Sequence, residues 1–141
     1  MAAGAAEPSL EGIWLSQYKY RSSSRSADLV DEHYLVVHHQ GERLVAQSLP
    51  LVSGSRVSLE LALEPPIASG TWRETTAPNG HYQGMTYHGV LQLVIDPSER
   101  SMHGMWLGFG RRLTMNTGEW TLTWQEASTS AAAQREYSAR I

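Results

Sequence analysis

Cysteine is absent from this chain of 141 residues, which removes disulfides, zinc–thiolate sites and thiol nucleophiles. Lysine is almost absent: Lys19 stands alone beside ten arginines, and the net charge is −3. A nucleic-acid surface needs a dense basic stripe to neutralise phosphates, so no nucleic acid is expected to bind this chain itself. No Gly-x-x-x-x-Gly-Lys phosphate loop and no Gly-x-Ser-x-Gly nucleophile elbow occurs. Long apolar runs are missing too. The best candidate is broken by Gln92, so no membrane partner is expected. The opening Met1-Ala-Ala-Gly-Ala-Ala-Glu-Pro8 has neither a cationic head nor an apolar segment of signal-peptide length, and a cytoplasmic location is the default.

What is present is β pattern. The hydrophobic share is 41% and the charged share 18%, the balance of one globular domain. Alternating or β-rich runs fall near residues 12–20, 32–39, 42–49, 56–63, 67–76, 86–95, 101–109 and 115–124. Turn chemistry separates them at Ser22-Ser-Ser, Gln40-Gly41, Ser53-Gly54-Ser55, Pro65-Pro66, Pro78-Asn79-Gly80, Asp96-Pro97-Ser98 and Gly110-Arg111-Arg112. Connections this short leave no room for crossover helices, so successive strands are antiparallel neighbours. The expected fold is all-β: an eight-stranded antiparallel up-and-down barrel, closed to remove its edges. A β-sandwich is the alternative, at the cost of Greek-key connections. Residues 1–9 read as a disordered lead-in, 10–126 as the barrel domain and 127–141 as a tail. There Thr129 or Ser130 caps a short helix rich in alanine.

A Gly-x-Trp pattern recurs four times, at Gly12-Ile13-Trp14, Gly70-Thr71-Trp72, Gly104-Met105-Trp106 and Gly118-Glu119-Trp120. Residues i and i+2 of a strand share a face, so each glycine lies beside its tryptophan. Glycine inside a strand is costly unless another group needs the space. Indoles from adjacent strands lying across those bare backbones would make one aromatic wall, which serves either as core or as a ligand surface.

The first of these motifs opens the first strand after a short lead-in, and there the chain resembles the calycin superfamily of lipocalins, fatty-acid-binding proteins and avidins. That resemblance implies a barrel whose first tryptophan plugs the base. A longer signature runs through Gly70-Thr-Trp-Arg-Glu-Thr-Thr76, Tyr87-His-Gly-Val-Leu-Gln-Leu93, Gly104-Met-Trp-Leu-Gly-Phe-Gly110 and Asn116-Thr-Gly-Glu-Trp120, with Gly12-Ile-Trp-Leu-Ser16, Tyr18 and Tyr20 before it. Over about residues 9–125 it is similar to a β-domain found behind helix-turn-helix segments in actinobacterial regulators. The similarity implies an effector-binding domain, with the DNA-binding part absent from this chain.

If the tryptophans point inward, strand parity sends Ser16, Tyr18, Tyr20, Glu74 and Asn116 inward as well. Candidate ligand-binding residues are therefore Trp14, Tyr18, Tyr20, Trp72, Glu74, Trp106, Asn116 and Trp120. His88 and Gln92 join them on the reading that Leu91 and Leu93 face outward beneath the tail helix. A one-residue bulge on that strand would reverse the choice. Glu74 beside Trp72 needs a partner if buried. Arg25 or Arg73 would make it structural, a wet position at the mouth would leave it solvated, and a ligand would make it an anchor or an acid/base. The histidines show no zinc spacing and read as solvated or core residues. His33 and His39 share a face with Leu35 and Val37. Arg25, Arg111 and Arg112 are the candidates for an anionic ligand.

The composition of this lumen, aromatic with a few hydrogen-bonding groups, suits a module that binds a small-molecule ligand, flat or apolar, with no cofactor or metal. Two other classes stand beside it. One is a lumen enzyme of cyclase or isomerase type, using Glu74 or His88 as acid/base. The other is a structural or interaction domain whose barrel is packed solid. Four apolar residues on one face of the fourth strand, Val57, Leu59, Leu61 and Leu63, belong either to the interior or to a homo-oligomer contact.

Overall fold

The computed structural model describes residues 10–22, 27–49, 55–76, 85–109 and 113–140. Eight strands follow one another: β1 (Gly12–Ser22), β2 (Ala27–Gln40), β3 (Arg43–Ser48), β4 (Arg56–Glu64), β5 (Ile67–Thr75), β6 (Thr86–Ile95), β7 (Ser101–Phe109) and β8 (Met115–Glu126). Each pairs antiparallel with the next, and β8 returns to β1 to close the barrel. The closing seam sets Trp14 against Trp124 and Tyr18 against Trp120. With β8 paired to β1 there is no free edge among the strands, and the sandwich alternative does not apply.

Parity decides what fills the cylinder. One cluster of apolar side chains runs through it, from Leu10, Trp14, Leu35, Leu44 and Met102 at one end to Tyr18, Val57, Trp72 and Trp106 towards the other. Val57, Leu59, Leu61 and Leu63 are all buried in it. That face of β4 is interior, so it is not available as a subunit contact. The lower end carries the tight turns at Gly41, Pro65-Pro66 and Asp96–Arg100, and it is sealed by Trp14, which is wholly buried and donates its indole N–H to the Leu10 carbonyl at 3.0 Å. The upper end carries the β1–β2, β3–β4, β5–β6 and β7–β8 connections.

The sixth strand overturns the expected facing. Tyr87, Leu91, Leu93 and Ile95 turn inward, while His88 and Gln92 are exposed on the outside. The register supplies the reason. Trp72 pairs with Gly89, and Gly89 pairs with Gly108. The bare row Gly89–Gly108 is where the Trp72 ring lies, so Gly89 must share the inward face, and Leu91 and Leu93 follow it.

The tail helix α1 (Ala131–Ser138) starts at Ser130, whose hydroxyl accepts the Ala133 N–H at 3.1 Å. It does not cover β6. Its buried residues Ala133 and Tyr137 pack on Ile13, Val36 and Leu49, and the Tyr137 ring meets Tyr34 edge-on at 5.1 Å. Ile13, Val36 and Leu49 lie on the outer side of the β1–β2–β3 region, and the helix gives these three their cover. None of the described helices is long and apolar enough to cross a membrane. The lead-in expected at 1–9 lies outside the described residues.

Candidate functional site

Three of the tryptophans, Trp72, Trp106 and Trp120, converge inside the barrel, each leaning towards the strands that follow its own round the cylinder. Trp72 of β5 crosses β6 to rest on Gly108 of β7, with its indole N–H shared between the Val90 and Leu107 carbonyls at 3.2 and 3.3 Å. Trp106 of β7 crosses Gly118 of β8 and donates to the Lys19 carbonyl of β1 at 2.9 Å. Trp120 of β8 donates to the Ser16 hydroxyl of β1 at 2.8 Å. The rings touch: Trp72 stands edge-on to Trp106 at 5.4 Å, and Trp120 lies 6.1 Å from Trp72 and 4.6 Å from Tyr18. Each buried indole N–H thus has a protein acceptor, and the wall is both packed and hydrogen-bonded.

Above this wall sits a polar cluster. Tyr18 Oη lies 2.8 Å from Glu74 Oε2 and 3.0 Å from Asp31 Oδ2. Ser55 Oγ reaches the same Glu74 oxygen at 3.5 Å. Parity on β1, β2 and β5 brings Tyr18, Asp31 and Glu74 together, and Tyr18 pairs directly with Asp31 across the β1–β2 ladder. His33, two residues from Asp31 on the same inward face, stacks parallel to the Tyr18 ring at 6.2 Å. It is only 3% exposed, and its Nδ1 has no hydrogen-bond partner. Tyr20 lies 6.1 Å from Tyr18, and both Tyr20 and Tyr87 are half-buried against the core.

Burial governs the protonation of this cluster. It pushes the Glu74 carboxyl up to about 7; the nearby Asp31 carboxylate adds to the rise, and hydrogen bonds from Tyr18 and Ser55 oppose it. Burial, then the Glu74 and Asp31 charges, raise the Tyr18 hydroxyl well above its ordinary value, so it remains a donor. Burial lowers His33, partly offset by Asp31, and the ring stays neutral. When Glu74 holds its proton, a chain is satisfied in which Glu74 donates to Tyr18 Oη and Tyr18 donates to Asp31.

Stability should follow that proton. The native carboxyl keeps it up to about pH 7, while the unfolded one releases it near 4.5. The contribution is therefore full below the unfolded value and is lost as pH rises through the folded one. His33 acts in the opposite sense, because its depressed value costs stability as the unfolded ring protonates in acid. Comparing the parent with Glu74→Gln cancels the His33 part. Urea unfolding between about pH 5 and about pH 8 should show the variant gaining on the parent as pH rises, by at most on the order of 3 kcal/mol. Parallel curves would place Glu74 in water.

The remaining sequence candidates divide. Trp14 is in the lumen but seals the far end, away from the polar cluster. Asn116 lies on the inward side of β8 near the upper end, and its side-chain oxygen accepts the Thr117 N–H at 3.0 Å. His88 and Gln92 are exposed on the outside, so of the two acid/base candidates only Glu74 faces the lumen. Arg73 is exposed on the outer face and does not pair with Glu74. Arg25, Arg111, Arg112 and His81 lie outside the described residues. Sequence reasoning passed over Asp31 and Ser55, and read His33 only as a solvated or core residue on the face of Leu35 and Val37. The signal for two of them was the run 31-33-35-37: inward Leu35 and Val37 carry His33 and Asp31 with them.

Two grooves of about 420 and 520 Å³ lie on the outer surface and not in the lumen. The first is lined by side chains such as Gln47, Glu60, Arg73 and His88. The second is lined by Val90, Gln92, Met105, Leu107 and Thr117. Among the described residues, no group of three or more His, Asp or Glu side chains is placed to hold a metal ion. Comparison with protein-family models and with curated proteins finds no match to this chain.

Proposed function

We propose that this is a small-molecule-binding barrel that takes its ligand at the upper end of the lumen, as calycin-like barrels do. The observation that carries this reading is the asymmetry of the two ends. The lower end is closed by wholly buried apolar side chains. The upper end gathers half-buried Tyr20, Asp31, Glu74 and Tyr87 over a floor of Trp72, Trp106 and Trp120. Flat rings below and convergent hydrogen-bonding groups above are the usual make-up of a ligand site. The similarity to β-domains behind helix-turn-helix segments supports an effector-sensing role of the same kind.

The full chain should report binding through its own indoles. Titrated with a panel of flat heteroaromatic compounds, neutral, anionic and cationic, its tryptophan emission should be quenched or shifted by some members. Emission unchanged across the whole panel would overturn the reading. It would favour the second one, a structural or interaction domain filled by its own side chains. What supports that alternative is that the Trp72, Trp106 and Trp120 N–H groups are already bonded within the chain, and that Val90, Met105 and Leu107 form an exposed apolar stripe on the outer face.

A further inference from the structure

We propose that two copies of this chain pair face to face through the outer surface of β6 and β7, about a two-fold axis passing close to Val90 and Leu107. The inference concerns the outside of the barrel and stands apart from the lumen reading above.

The composition of that surface is the first observation. β6 and β7 contain no Asp, Glu, Lys or Arg, whereas each of the other six strands carries charge. In the middle of this field Val90, Met105 and Leu107 are 51%, 50% and 43% exposed. Val90 is the register partner of Leu107, and Met105 lies two residues along β7 on the same face. The other large apolar side chains described as exposed, Val30, Met85, Leu113 and Met115, lie off these two strands. A groove of about 520 Å³ runs between Val90, Gln92, Met105 and Leu107. An uncharged apolar centre with charge held to its margins is the anatomy of a protein–protein interface.

The charges at the margins say what covers it. β5 flanks the field on one side and β8 on the other. Each brings a charge to its edge: Arg73 from β5 and Glu119 from β8, both exposed. Thr71 pairs with Val90, Val90 with Leu107 and Leu107 with Thr117, which defines the middle row. Arg73 pairs with His88 on one side of that row, and Glu119 pairs with Met105 on the other. The two charges therefore stand at opposite corners of the field with opposite sign. They are separated by ~14 Å across the strands and ~13 Å along them, so the line joining them is close to a diagonal.

A two-fold axis along the other diagonal exchanges these corners. Arg73 of each copy then faces Glu119 of the other, and the match is made twice. An axis along the strands or straight across them does not bring the two together. The diagonal axis sets the strands of the two copies nearly perpendicular, one of the two angles at which sheets pack. Self-matching of this kind is what an isologous pair requires. Glu119 also holds Lys19 of its own copy at 2.8 Å, an exposed pair that the incoming guanidinium joins. The field is only two strands wide, so the contact is small and the dimer reversible, with a dissociation constant on the order of 10–100 µM.

Sedimentation velocity of the full chain from about 5 to about 500 µM should follow that monomer–dimer equilibrium. Leu107→Lys and Met105→Lys, each checked for an unchanged unfolding transition, should weaken it at least roughly tenfold by placing cations near the axis. Should one of them fail to fold, the other carries the comparison. Arg73→Glu and Glu119→Arg should each weaken the dimer as well, because each sets like charges against one another. Mixing these two single variants should restore association to the parent's strength, since every corner then meets its opposite sign. A parent that stays monomeric up to the highest concentration overturns the inference and leaves the stripe to a different protein. A dimer that neither lysine substitution weakens, or charge variants that mixing does not rescue, overturns it too.

Discussion

Trp106→Ala should destabilise the protein by ~3–5 kcal/mol, the range expected when a buried ring is removed. Trp106 is 6% exposed, stands edge-on to Trp72, and holds the Lys19 carbonyl across the β8–β1 seam. Its removal empties a ring-sized volume between three strands and leaves that contact to no other side chain. Trp106→Phe keeps much of the ring burial and loses the N–H, so it should cost more than the hydrogen bond alone, about 1 kcal/mol, yet clearly less than alanine. Urea unfolding monitored by far-ultraviolet circular dichroism reads both. A Trp106→Ala protein within about 1 kcal/mol of the parent would mean that the ring does not fill the lumen.

Gly118→Ala is expected to be nearly as damaging, although it adds a single methyl. A Cβ at Gly118 would collide with the Lys19 carbonyl oxygen and sit 2.8 Å from Trp106 Nε1. The first obstacle is backbone of the paired strand, which cannot swing aside without opening the seam, and the second is the ring just described. Overpacking of this kind costs ~1–3 kcal/mol or more. Gly108→Ala is the companion case, with Trp72 Cζ2 at 2.5 Å from the added atom. Because Gly118 and Trp106 share one space, the double variant should be less unstable than the sum of the two singles. Full additivity would show that they do not meet.

These two positions also show what the residue pattern reveals and where it stops. The eight strands, their order and the closed barrel follow from alternation and short turns, which are local signals. The Gly-x-Trp repeat correctly announces indoles laid over bare backbone, but the pairing is between strands and not within a motif. Gly118 serves Trp106, and Gly108, outside the repeat, serves Trp72. Register across a sheet is a long-range property, and no motif prints it.

The same limit explains β6. The expectation that His88 and Gln92 face inward rests on the tail helix covering Leu91 and Leu93, and that helix packs on Ile13, Val36 and Leu49 instead. The decisive residue is Gly89, which the neighbouring Trp72 requires on the inner face. Glu74 was legible as a carboxylate in need of a partner. Its partners were not, because Tyr18 is 56 residues away in the chain and meets Glu74 across the barrel end. Asp31 and His33 were within reach of parity, since Leu35 and Val37 fix their side. Their value appears only once Tyr18 is seen to have one hydroxyl for two carboxylates.

Everything proposed for the upper lumen requires that indoles from β1, β5, β7 and β8 lie inside the cylinder with their N–H groups bonded to the chain. Hydrogen exchange of the indole N–H signals, followed by proton–nitrogen correlation spectra after transfer to heavy water, measures that directly. The signals of Trp14, Trp72, Trp106 and Trp120 should persist long after exposed amide signals have gone. Loss of all four as fast as in an unfolded chain would contradict the buried wall, and with it the site above.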